Sequence, residues 1–243
     1  MNLFLHILQN GWVVLYSMSK KLLMNNSLGY VQENLILNLD SLYNTRNGFN
    51  ANTKIWEDIS GNNNDFSVDN DNIIFTAGNV HIKQGGYLTL IDLDKFSSCI
   101  TNKECMTLQI IADVTNEGNT MVKPIFISCA SFGYYTFKAF ISSYNDNGFE
   151  ISPFQGHNRI ITAEVYDETH KYNNSLYINM ESIPKNSQTI DYFDNTKGSY
   201  IGTNGSKSNF YQGNIKAIRL YQRKLTQDEL LQNYNNDKLR YGI

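Results

Sequence analysis

Cysteine is scarce in this 243-residue chain. Cys99, Cys105 and Cys129 make an odd count with no CxxC pair, which argues against a disulfide framework and against a zinc site. A bridge between Cys99 and Cys105 is the alternative to free thiols. Charge of one sign is lacking too: 20 Lys and Arg against 23 Asp and Glu leave a net charge of −3, scattered along the chain. That excludes the basic footprint of a nucleic-acid binder and gives an anionic membrane no purchase. Catalytic signatures are absent. No GxSxG elbow, HExxH or HxH spacing, GxGxxG loop or Walker-type loop occurs, and the Asp69–Asn72 run DNDN lacks the glycine and closing glutamate of an EF-hand.

Long hydrophobic runs are also missing. Met1–Tyr16 is apolar but broken by Asn2, His6, Gln9, Asn10 and Gly11, short of the roughly 18 residues of a membrane span. It lacks the positive n-region and cleavage site of a secretory signal, since Lys20 and Lys21 follow the apolar run. Residues 1–33 are expected to form an extension that is poorly ordered or reflects a misplaced start, with translation beginning at Met18 or Met24. A composition of 41% hydrophobic and 18% charged residues, with only 3 prolines, is that of a globular all-β domain with many polar turns. No internal repeat or second domain is visible.

The chain's most explicit stretch is its last, Asn209–Ile243. Gly213–Tyr221 alternates as a strand, with Ile215, Ala217, Arg219 and Tyr221 on one side and Lys216, Ile218 and Leu220 on the other. A helix follows. Thr226 and Glu229 form a capping box, and Leu225 and Leu230 form a hydrophobic staple. Asp228 and Glu229 suit the positive end of the helix dipole, Lys238 and Arg240 the negative end, and Gly242 stops it. Leu230, Leu231 and Tyr234 are its apolar stripe. Arg219 is expected to pair with a carboxylate on a neighbouring strand. Further strands are expected at Asn34–Asp40, in short pieces over Ile73–Leu90, and at Met106–Val114, Pro124–Ala130, Phe132–Ser142, Arg159–Tyr166, Ser175–Met180 and Ser199–Gly202.

Two blocks carry a family resemblance. Phe210, Gly213, Ile215, Ile218, Arg219, Leu220, Tyr221, Arg223, Leu225, Thr226 and Glu229 follow the order F-x-G-x-I-D-x-V-R-I-Y-N-R-A-L-S/T-x-x-E. Trp56, Asp58, Ile59, Ser60, Gly61, Asn62, Asn64 and Asp65 follow W-x-D-L-S-G-N-G-N-D/H. The chain thus resembles the laminin-G-like, concanavalin A-like lectin/glucanase jelly rolls of bacterial surface and phage proteins, over about Asn34–Arg240. It departs at Lys216, where an acid is usual, at Gln222 and Lys224, and at Asn63, which tolerates the left-handed backbone of the glycine it replaces. The resemblance implies a two-sheet antiparallel jelly-roll sandwich over residues 34–243 with one short C-terminal surface helix.

The glucanases of this architecture set three carboxylates on one strand face. Here the nearest match, Glu164-Val165-Tyr166-Asp167-Glu168, has tyrosine in the middle position, so no catalytic residue is expected. What the resemblance leaves is a carbohydrate-binding or adhesion module on a phage virion (tail or appendage) or a bacterial surface. Its partners would be a glycan or cell-surface polysaccharide and other virion or surface proteins. The alternatives are a structural packing domain and a degenerate glycoside hydrolase. Tyr134, Tyr144, Asn145 and Asp146 are candidate ligand residues, combining aromatic faces with hydrogen-bonding side chains. Asp58, Asn62 and Asp65 are candidate calcium ligands; the rival reading is a turn that bonds itself while Trp56 fills the core.

Overall fold

The computed structural model describes residues 29–99, 105–114, 123–129, 136–141, 156–166, 174–182, 198–203, 207–208 and 210–243. Every strand pairing among them is antiparallel. The strands are β1 (Leu35–Asp40), β2 (Ile55–Trp56), β3 (Phe66–Val68), β4 (Ile73–Thr76), β5 (Asn79–Ile82), β6 (Leu88–Leu90), β7 (Cys105–Val114), β8 (Lys123–Cys129), β9 (Thr136–Ile141), β10 (Gly156–Tyr166), β11 (Asn174–Ile178), β12 (Glu181–Ser182), β13 (Tyr200–Ile201) and β14 (Gly213–Tyr221). One sheet runs β12-β11-β10-β7-β14-β5-β4, with β1 also on β14; the other runs β2-β3-β6-β13-β8-β9. The described residues also form the α-helices α1 (Leu93–Cys99) and α2 (Gln227–Tyr241).

The sheets pack face to face. Leu37, Leu39, Val80, Ile82, Leu108, Ile110 and Ile218 from the first meet Trp56, Phe66, Leu88, Leu90 and Ile201 from the second. The chain is therefore a two-sheet antiparallel β-sandwich with a C-terminal helix, as the sequence implied. The alternation expected in β14 holds from Ala217 onward: Ile218 and Leu220 face the core, while Ala217, Arg219 and Tyr221 face outward. Ile215 departs from it. A bulge between Ile215 and Ala217 turns Ile215 into the core beside Ile218.

Three expectations are corrected. Helix α1 was not anticipated; it begins at Asp92, whose carboxylate accepts from the Lys95 N–H at 2.9 Å and whose carbonyl accepts from Phe96, which is buried. Helix α2 docks by only part of the stripe Leu230-Leu231-Tyr234: Leu230 is buried beside Tyr221 and Leu225, and Tyr234 packs on the cluster of Ile111, Ile160 and Ala217. Its buried residues are Leu230, Asn233 and Asp237, whereas Leu231 is exposed. Arg219 finds its carboxylate on this helix, at Asp237, and not on a neighbouring strand. Between those apolar contacts the surface under the helix carries a polar row, in which Arg219 takes up Asp237 and Gln109 takes up Asn233. Gly29–Glu33, ahead of Asn34, also join the domain: Tyr30 and Val31 are buried against the same helix.

Candidate functional site

Three polar groupings stand out, and two of them serve the fold. The first lies under α2. Asn38, Arg219, Gln109 and Thr162 are directly opposite one another on β1, β14, β7 and β10, so all four lie on one face, and all are buried. Arg219, 1% exposed, contacts the Asp237 carboxylate through both terminal nitrogens and lies 4.0 Å from the centre of the Tyr30 ring. The Tyr30 hydroxyl donates to Asp237 at 2.7 Å. Asn233 donates to Gln109 at 2.7 Å and to the Tyr221 hydroxyl at 2.9 Å, while its oxygen accepts from the Val31 N–H. At the far end of the helix Arg240 pairs with Asp40 at 2.7 Å. Burial pulls the Arg219 guanidinium down, but Asp237 raises it further, so it stays charged. Burial pushes Asp237 up against the pull of Arg219 and Tyr30, and Tyr221 is pushed up to about 12. The charges of this clasp are matched inside, and Arg219 Nε, which has no partner, is buried away from any ligand.

The second grouping is the Trp56–Asp65 segment, and it covers the free edge of β1. Along that edge the Asn38 N–H donates to Asp58 and the Asn38 carbonyl accepts from Ile59. The Ile36 carbonyl accepts from Asn64, the Leu35 carbonyl from Asn62, and the Asp40 carbonyl from the Trp56 indole. A bare strand edge would be a template for intermolecular pairing, and here it is satisfied by side chains. Asp58, fully buried, accepts from the N–H groups of Asn38, Ser60 and Asn64 at 2.8–2.9 Å and from the Ser60 hydroxyl. Burial nevertheless raises its carboxyl above the usual range. Asp65 accepts from the Asp58 N–H and pairs with Arg46. Asn63 takes the left-handed conformation, at φ 55°. Of the three candidate calcium ligands, Asp58 and Asp65 thus already spend oxygens on protein donors, and Asn62 is used through its amide nitrogen. Among the described residues no three of His, Cys, Asp and Glu gather as a metal-holding group.

The third grouping lies on the outside of the second sheet, with Lys207 exposed, Tyr87 and Phe210 half-buried and Tyr200 buried. Leu88 and Ile201 point inward from β6 and β13, so Thr89 and its partner Tyr200 point outward, and Tyr87, two residues before Thr89, joins them. The Tyr87 ring stands edge-on to Tyr200, with centroids 6.4 Å apart, and tilted to Phe210 at 6.3 Å. The Lys207 ammonium lies 4.8 Å from the Tyr87 centroid and 5.2 Å from that of Tyr200. An antiparallel bridge from Thr203 to Phe210 pins the base of the loop that carries Lys207. Gly198 is needed here: a β-carbon on it would sit 3.1 Å from the Tyr200 hydroxyl. Asp69 borders the patch and accepts from Thr89. Sequence reasoning missed this group because its members lie far apart along the chain.

The expected ligand residues Tyr134, Tyr144, Asn145 and Asp146 lie outside the described residues. So does Glu168; Glu164 is placed in β10, its backbone paired with Thr107 and Ser175. His81 is positioned by Asn214 at 3.0 Å, and Asn214 in turn donates to Asp113 at 2.7 Å. Cys99 is a free thiol. Among the described residues no helix is long and apolar enough to cross a membrane.

No family model and no curated protein matches the sequence. Solved structures do match in fold. The receptor-binding domain of a botulinum neurotoxin C/D mosaic aligns with 86% of the chain at a TM-score of 0.56 and 16% identity, and the binding domain of botulinum neurotoxin serotype D with 89% at 0.52 and 17%. Trypanosoma rangeli sialidase in complex with the inhibitor DANA aligns with 92% at 0.54 and 13%. The match spans about half of each toxin domain (53%) and 38% of the sialidase. At such identities the likeness is one of architecture, that of a β-sandwich.

Proposed function

We propose that this domain is a non-catalytic binding module of the concanavalin A-like jelly-roll kind. It recognises a glycan or cell-surface polysaccharide and is displayed on a phage virion or a bacterial surface. The observation that carries the reading is the Tyr87–Tyr200–Phe210 patch with Lys207 over it, an aromatic platform left on the outer face of a sheet. Aromatic faces with polar groups at their rim are the chemistry that holds a sugar ring, whose C–H face is apolar and whose edge is hydroxylated. The other conspicuous charges, at Arg219, Asp237, Asp58 and Arg240, are tied to protein partners. Likeness to toxin domains that bind receptors supports a binding role, and the motif resemblance supports the display setting.

The test is a glycan array probed with the purified chain. Selective binding to a polysaccharide or glycan class is expected; no binding to any glycan would leave a packing role in its place. The Tyr144→Ala variant reads whether Tyr144 takes part. Hydrolysis of a β-glucan that is lost on Glu164→Gln would overturn the non-catalytic assignment.

A further inference from the structure

We infer that the outer-sheet patch is a subsite for an acidic sugar, a pyranose bearing a carboxylate, and that Lys207 is the residue that selects it. This rests on the binding role proposed above. Tyr87 and Phe210 are half-buried, so their rings are held in place yet reachable, while Lys207 is exposed. Among the described residues no ion pair fixes the ammonium: it lies over two rings, drawn to the Tyr87 hydroxyl and to the charge of Asp69, an arrangement weaker at an exposed site than a charge-assisted hydrogen bond to an anion. A ligand carboxylate therefore draws Lys207 off the rings. The same movement frees the face of Tyr87 for the C–H face of the sugar. Cation and platform are in one place, so a single acidic residue engages both.

Two further observations agree. Lys207 has a left-handed backbone, φ 53°, a conformation that costs a residue with a β-carbon stability and that recurs where a side chain must be aimed. Glycine would take it without cost, so the position trades stability for a side chain over the rings. The surroundings then supply the polar rim. Asp69 is exposed, its Oδ2 accepts from Thr89, and its backbone runs beside that of Tyr87, where its carboxylate can accept from sugar hydroxyls. In a chain of net charge −3 an acidic glycan is otherwise repelled, which makes a local cation decisive for recognition.

The experiment titrates the full chain with uronate-containing oligosaccharides (pectic, alginate and hyaluronan fragments) and with neutral oligosaccharides of equal length, by calorimetry and by NMR. At least one acidic probe is expected to bind, more weakly as salt is raised. The Tyr87→Ala and Lys207→Gln variants should each bind roughly tenfold or more weakly. Lys207→Gly separates binding from folding: it should lose binding while its melting temperature holds or rises. Binding of neutral probes alone, or acidic binding unchanged in these variants, overturns the inference while leaving a glycan-binding module standing. If neither class binds, both readings fall.

Discussion

Removing Asp237 tests the clasp most directly. In the Asp237→Leu variant the Arg219 guanidinium, 1% exposed, keeps its charge and loses its counter-ion, and the Tyr30 hydroxyl loses its acceptor. Leaving one member of a buried ion pair alone costs about 3–5 kcal/mol. That is a large share of the roughly 5–15 kcal/mol that keeps a typical domain folded. With a urea slope of about 2–3 kcal/mol per molar, the unfolding midpoint should fall by about 1–2.5 M at constant slope. The double variant Arg219→Met/Asp237→Leu removes both charges and should recover most of that loss, because the penalty lies in the unmatched charge and not in the absence of the pair. Urea denaturation followed by far-UV circular dichroism reads all three proteins. A single variant within about 1 kcal/mol of wild type would refute the reasoning. So would a double variant at least as destabilised as Asp237→Leu alone.

Asp58→Ala strands the N–H groups of Asn38, Ser60 and Asn64, and at about 1 kcal/mol or more each should cost at least about 3 kcal/mol. The melting temperature should then drop by about 6–12 °C; a shift under about 2 °C would show that water replaces the carboxylate. Because the Asp58 oxygens are already engaged, calcium added to the wild type should leave melting unchanged. Glu229 gives a pH dependence. Hydrogen bonding to Arg223, with the Thr226 N–H also donating, lowers its carboxyl from 4.5 to about 2 despite some opposing burial. The folded value lies below the unfolded one, so its stabilisation is complete above about pH 4.5 and is lost as the pH falls through about 2. The melting-temperature difference between wild type and Glu229→Gln should close over that interval, and a difference that persisted at pH 2 would contradict the assignment.

Where chemistry is local, the sequence was readable. The capping box of Thr226 and Glu229, the burial of Leu225 and Leu230 in one cluster, the αL glycine at Gly242 and the core position of Trp56 depend on residues a few places apart or on one strong preference. The docking face of α2 was readable only in part. Hydrophobic periodicity selected Leu230 and Tyr234 but also the exposed Leu231, and it passed over Asn233 and Asp237, because the sheet beneath offers Asn38, Arg219 and Gln109, and only pairing across three strands brings those into one row. The edge cover at Asp58–Asn64 was legible as a self-bonded turn, though not that its second partner is β1. The aromatic patch is the extreme case, because Tyr87 and Lys207 share no sequence window and no periodic signal.

The position of β14 has a kinetic consequence. The last strand of the chain is inserted in the middle of the larger sheet, with β7 along one side and β5 and β1 along the other. Until residues near 220 leave the ribosome, β1, the β4–β5 pair and the edge of β7 lack the strand that joins them. The tie between Tyr30 and Asp237 must then close a separation of 207 residues. Such late, long-range closure makes for slow folding and a window for strand exchange between nascent copies.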